Sequence, residues 1–201
     1  MPFTHFENHA WNIPEYFNIA VACTDAHLGT PAENQVAMIV EDDALGTSQA
    51  TYGEFAASTD RFAQLLRNLG VEKEDRVLIR LPNSLAFPTA FFGAMKQGAI
   101  AVPTSTLLTA EEVLYLAKDS GAALLVTDKA MWAGLQDKLT GLGSLRHVLL
   151  AGSGAVIPAE GLNVLDLEAE LAKIGQCDPP LKTRSDFPAY LVYTSGTTGR
   201  P

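Results

Sequence analysis

Short apolar runs alternate along this chain with longer stretches in which apolar residues recur at helical spacing. Val77-Leu78-Ile79-Arg80-Leu81, Ala99-Ile100-Ala101-Val102, Ala123-Leu124-Leu125-Val126-Thr127, His147-Val148-Leu149-Leu150-Ala151 and Ala189–Thr194 read as strands. Val36–Val40 and Gln49–Tyr52, separated by turn residues 42–48, read as a hairpin. Thr51 stands three residues before Glu54, the spacing of a capping box. Phe55, Phe62, Leu65, Leu66 and Leu69 follow at helical intervals, and Gly70 supplies the stop. Further helices are predicted over Ser84–Gln97, from Thr109 and Glu112 (a second capping box) to near Gly121, after the cap Asp128, and over Leu165–Ile174. Residues 1–35 form an irregular arm with one short helix around Tyr16–His27.

Most of the strand runs are apolar at every position instead of every second one. Such strands are covered on both faces, which predicts an α/β fold: a largely parallel β-sheet flanked by helices, joined by right-handed crossovers. Ligands of such sheets gather at the carboxyl ends of the strands. The last run, Ala189-Tyr190-Leu191-Val192-Tyr193-Thr194, is expected to be a buried strand emptying into Ser195-Gly196-Thr197-Thr198-Gly199-Arg200-Pro201. Neither an internal repeat nor a low-complexity linker interrupts the rhythm.

Composition narrows the classes. The 201 residues are 47% hydrophobic and 18% charged, enough to bury a core. A net charge of −9 leaves no basic surplus for a nucleic-acid backbone. Cys23 and Cys177 form no paired motif, so a disulfide framework is not expected and a reducing, cytoplasmic setting fits. No signal peptide and no membrane-spanning run is read.

Several motifs can be weighed by their chemistry. His5 and His9 stand four apart, but Glu7 is one position late for a zincin and Pro14 limits a helix, so no metal site is expected. Gly152-Ser153-Gly154 follows a strand, yet Ile157 occupies the third glycine position of a dinucleotide fingerprint and Pro158 follows. That weighs against a nicotinamide-dependent enzyme. No G-x-S-x-G surrounds Ser195, and His147 reads as a core or edge histidine. Arg76, Arg80 and Lys96 read as scattered, solvated cations. The segment 194–200 differs in kind. Its glycines admit close approach of an anion to backbone N–H groups, and Ser195, Thr197 and Thr198 add hydroxyl donors. Gly196 and Gly199 are too close for a Walker A loop, and Pro201 stands where that loop has its lysine.

Tyr193-Thr194-Ser195-Gly196-Thr197-Thr198-Gly199-Arg200-Pro201 resembles, nearly residue for residue, the phosphate-loop signature of the adenylate-forming superfamily. That superfamily includes acyl- and aryl-CoA ligases, peptide-synthetase adenylation domains and luciferases. Asp186 stands where the family has an acidic residue. Thr51-Tyr52-Gly53-Glu54, Leu81-Pro82-Asn83-Ser84 and Gly98-Ala99-Ile100-Ala101-Val102-Pro103 look like upstream family blocks, and Thr106-Leu107-Leu108-Thr109-Ala110 is similar to a stretch of benzoate-type CoA ligases.

The resemblance implies ATP, Mg2+ and coenzyme A as cofactors, and a carboxylic acid as substrate. A carboxylate repels nucleophiles; joining it to the α-phosphate of ATP activates it, and the CoA thiol then forms a thioester. It implies that Thr194, Ser195, Gly196, Thr197, Thr198, Gly199 and Arg200 bind the nucleotide phosphates, with no protein nucleophile required. The family signature continues with a lysine after the proline, so no catalytic residue is assigned among these 201. The chain is therefore expected to be the N-terminal subdomain (1–201) of a CoA ligase, with 194–201 its phosphate loop, inactive alone and prone to self-association. Benzoate or another aryl acid is the expected substrate, a medium-chain fatty acid the alternative. The rival class is a non-catalytic nucleotide-binding or interaction module, which micromolar Mg-ATP binding by the chain alone would favour.

Overall fold

The computed structural model describes residues 12–42 and 46–194. A short helix α1 (Ile19–Thr24) and a 3-10 turn (Pro31–Asn34) precede an antiparallel hairpin of β1 (Val36–Asp42) and β2 (Gly46–Thr51). Then follow α2 (Tyr52–Asn68), β3 (Arg76–Arg80), α3 (Ala86–Lys96), β4 (Ile100–Pro103), α4 (Ala110–Ser120), β5 (Leu124–Asp128), α5 (Lys129–Trp132), α6 (Gln136–Leu139), β6 (His147–Ala151), β7 (Asn163–Asp166) and α7 (Leu167–Ala172). Both predicted capping boxes close. Thr51 accepts from the Glu54 N–H while Glu54 reaches back to the Thr51 N–H, and Thr109 and Glu112 repeat the pattern. Gly121 ends α4 in the left-handed region at φ 61°, where a side chain would be strained.

The strand order is β4-β3-β5-β6-β7, all parallel. The continuous apolar runs are explained by two cores, one on each face. Val77, Ile79, Ala101, Leu124, Val126 and Leu149 pack under α1, α2, α3 and α7. The alternate residues Leu78, Val102, Leu125, Val148 and Leu150 pack under α4, α5 and α6 with the buried Trp132. Helices α2 and α3 meet closely because Gly93 has no side chain; a Cβ there would lie 2.8 Å from Phe62 Cβ. The chain leaves β3 toward one face and β5 toward the other. The β3/β5 boundary is thus the sheet's topological switch point.

The structure corrects three expectations. Strand β7 has no counterpart among the predicted strands: Asn163-Val164-Leu165-Asp166 offers only two apolar residues, too few to set a period, and it takes the first turn assigned to the helix at Leu165. Asp166 ends the strand and caps α7, accepting from the Ala169 N–H at 2.8 Å. Ala189–Thr194 is not a buried strand. It makes one parallel bridge, Ala101↔Tyr190, on the outer edge of β4, and Tyr190 and Val192 are 53% and 52% exposed. An apolar run cannot distinguish a strand covered on both sides from one laid along an edge.

The third correction concerns the cations, two of which are buried. Lys96 is 0% exposed, and its ammonium donates to Asp25 Oδ1 and Asp60 Oδ1, each at 2.6 Å. This ties the residue after α1 to α2 and α3. Arg80 is buried as well, and its Nη2 donates to the carbonyls of Thr106 (2.7 Å) and Leu108 (2.9 Å). Arg76 is half-buried and closes the end of α4 through the carbonyls of Ser120 and Gly121.

Removing one member of a buried ion cluster leaves the others unpaired, and here both carboxylates keep some solvent. Lys96→Ala is expected to cost about 2–3 kcal/mol, read as a lowered urea midpoint; an unchanged midpoint would show that the cluster contributes nothing.

Candidate functional site

The segment leading to Thr194 is set in place by a series of backbone bonds to residues far away in sequence. Leu181 N–H donates to the Lys96 carbonyl (2.7 Å), Phe17 N–H to that of Thr183 (2.9 Å) and Ser185 N–H to that of Glu15 (3.0 Å). The stretch 181–185 is thereby held between α3's end and the N-terminal arm. Asp186, the family-like acidic residue, pairs with Arg184 at 3.1 Å, and Arg184 also reaches Glu15 at 3.2 Å. The guanidinium holds the Asp186 carboxyl below its usual range. The chain then meets β4: Ala101 N–H donates to the Ala189 carbonyl (3.1 Å) and Leu191 N–H to the Ala101 carbonyl (2.9 Å).

Beyond that bridge the side chains anchor to both faces. The Tyr190 ring lies 5.8 Å from that of Phe91. Tyr193 packs against the α4-side core, and its hydroxyl donates to Asp119 Oδ2 at 2.6 Å. Burial, then the bond to Asp119, push its phenol up to about 12. Thr194 is exposed and is the last described residue of the candidate site. Ser195, Gly196, Thr197, Thr198, Gly199 and Arg200 lie outside the described residues, as do His5 and His9.

The remaining candidates resolve into structure. Gly152 (φ 82°) turns tightly: its N–H donates to Glu168 Oε1 at 3.0 Å and its carbonyl accepts from Lys129 Nζ at 2.6 Å. The stretch after Gly152-Ser153-Gly154 runs to β7 rather than opening a helix, so it lacks the helix N-terminus a pyrophosphate uses. Lys129 also pairs with Asp166 at 2.6 Å and holds that carboxyl below its usual range. His147 is half-buried, with Nδ1 3.2 Å from Asn163 Nδ2; burial first and Arg146 second push its imidazole down, favouring the neutral ring.

At the carboxyl ends of the central strands lies a polar row that the sequence pattern did not signal. Arg80 and Thr127 are register partners on the α4 side of the switch point, and Thr104 follows β4 beside them. Arg80 carries no carboxylate partner among the described residues, and it holds the 104–108 loop from which Leu107 projects at 91% exposure. Among the described residues, no group of three or more His, Cys, Asp or Glu could hold a metal ion, and no helix is long and apolar enough to cross a membrane. A cavity of about 130 Å³ between Asn18, Met95, Thr183 and Ala189 is too small for a nucleotide.

The described chain thus ends, at Thr194, in a lead-in tethered to the outer edge of a doubly wound sheet. The chain belongs to the AMP-binding enzyme family, whose pattern matches residues 11–201. It is 30% identical over 185 residues to a 4-hydroxybenzoate–CoA/benzoate–CoA ligase of Rhodopseudomonas palustris, covering 92% of this chain and 32% of that protein. It is 34% identical over 151 residues to a long-chain-fatty-acid–CoA ligase of Mycobacterium tuberculosis, covering 75% and 28%. Its fold matches the crystal structure of the anthranilate CoA ligase AuaEII in complex with anthranoyl-AMP, with a TM-score of 0.82 and 26% identity over 94% of this chain and 34% of that one. The chain thus spans about a third of the length of each of these proteins.

Proposed function

We propose that the protein carrying this chain is an ATP-dependent carboxylate–CoA ligase, working in the cytoplasm, and that residues 1–201 form its N-terminal subdomain. The family match that runs through Tyr193–Pro201 is the observation that carries this reading. Thr194, Ser195, Gly196, Thr197, Thr198, Gly199 and Arg200 hold the β- and γ-phosphates of ATP while the substrate carboxylate attacks the α-phosphate. Backbone N–H groups and hydroxyls are neutral donors, suited to phosphate oxygens and to steadying pyrophosphate as it leaves. Catalysis is then mainly positioning and charge stabilisation, with no covalent bond to the protein. Magnesium, when bound, shares the phosphate charge. The CoA thiol displaces AMP from the acyl-adenylate and yields the thioester.

An aryl acid such as benzoate is the preferred substrate. Supporting it are residues 106–110 and the aromatic-acid ligases among the relatives. The M. tuberculosis relative favours a second reading, a fatty acid. Because the chain spans about a third of the matched proteins, the 201 residues alone are expected to lack turnover. ATP–pyrophosphate exchange across a panel of acids tests this: exchange with aryl acids by the longer protein and none by the 201 residues is expected. Exchange by the 201 residues alone, or none by the longer protein with any acid, would overturn it.

We also infer that the 201 residues self-associate through the edge bearing Tyr190, Leu191 and Val192, all exposed. Light scattering at high concentration should give at least twice the chain mass of 21.5 kDa; a monomer contradicts it.

A further inference from the structure

Buried polar side-chain atoms are, in the large majority, hydrogen-bonded. Among the described residues four lack a partner, and three of these, Arg80 Nε, Thr104 Oγ1 and Thr127 Oγ1, come from adjacent strands. Arg80 ends β3, and Thr127 is its register partner on β5. Thr104 follows β4, and its N–H continues the ladder by donating to the Ile79 carbonyl at 2.9 Å. Two residues earlier on the same strands stand Leu78, Leu125 and Val102, all in the α4-side core. The strand period therefore puts Arg80 and Thr127 on that face, at the carboxyl ends beside the switch point.

The charge is the sharper anomaly. Arg80 is 7% exposed, yet both acceptors of its Nη2 are neutral: the carbonyls of Thr106 and Leu108. Burial pushes its guanidinium pKa down. The two buried lysines are paired, Lys96 with Asp25 and Asp60, and Lys129 with Asp166. Arg80 is the buried cation that has no carboxylate among the described residues, and a buried charge without a counter-charge is costly. Asp128, next to Thr127 in sequence, is engaged as the cap of α5, where it accepts from the Ala130 N–H. With Nη2 committed to the 104–108 loop, Arg80 Nε–H and the two threonine hydroxyls remain as donors.

We propose that Arg80, Thr104 and Thr127 form a binding site for a small oxyanion, a phosphate or carboxylate group, whose charge pairs the Arg80 guanidinium. The guanidinium repels a metal cation, and an apolar ligand would leave all three donors unmet. The site goes beyond the ligase reading: it uses none of residues 194–200 and stands or falls independently of the phosphate-loop assignment.

The Arg80 Nε–H signal in proton–nitrogen NMR spectra of the 201-residue chain reads the site directly. Inorganic phosphate and acetate are titrated separately through the millimolar range, with chloride at matched ionic strength as the control. Phosphate or acetate should move the Arg80 Nε–H signal saturably, and chloride should not; the anion that acts distinguishes a phosphate from a carboxylate site. The same anion should raise the urea midpoint of the wild type and leave that of Arg80→Gln unchanged. Thr127→Val keeps the side-chain shape and removes a hydroxyl that has no described partner, so it serves even if Arg80→Gln fails to fold. It should weaken the acting anion about tenfold, the loss of one hydrogen bond to a charged group. No saturable shift with either anion overturns the proposal. So does an equal response to chloride, which reduces the effect to ionic screening. An Arg80 Nε–H that contacts a bound water and ignores both anions also overturns it, as does an affinity unchanged by Thr127→Val.

Discussion

A parallel sheet cannot leave either face bare, and that constraint organises this chain. Its central strands bury alternate residues into two separate cores, so α1, α2, α3 and α7 must cover one face and α4, α5 and α6 the other. Right-handed crossovers then force the chain to change direction between β3 and β5. At the carboxyl side of that sheet lie the Arg80–Thr127 row at the switch point, the 104–108 loop that Arg80 holds, and the lead-in to Thr194 along β4.

The lead-in to Thr194 does not run along the switch point. It follows the outer edge of β4, held there by a single parallel bridge and by the Tyr193–Asp119 bond.

Much of the fold was legible in the sequence because the relevant signals are local. Thr51/Glu54 and Thr109/Glu112 announce helix starts through bonds made within four residues, and the apolar runs announce strands by composition alone. What was not legible depends on partners far away. Nothing near Lys96 signals that Asp25 and Asp60 will surround it, and Arg80 finds its acceptors 26 and 28 residues on. The edge position of Ala189–Thr194 depends on which strand it meets, which no six-residue window contains. The glycines and hydroxyls of Ser195–Gly199 suggested phosphate by type and a family resemblance carried the assignment further, whereas the bond from Tyr193 to Asp119, 74 residues earlier, shows only once the chain is folded.

The most direct test of the account asks where the terminal phosphates of ATP sit. An ATP analogue with a photoreactive group on its γ-phosphate, bound to a longer protein that contains this chain and mapped by peptide mass spectrometry, separates the two possibilities. Adducts confined to residues 194–200 are the predicted result. Adducts at the carboxyl ends of β3 and β5, around Leu81–Asn83 and Asp128, would place the phosphates at the switch point and contradict it.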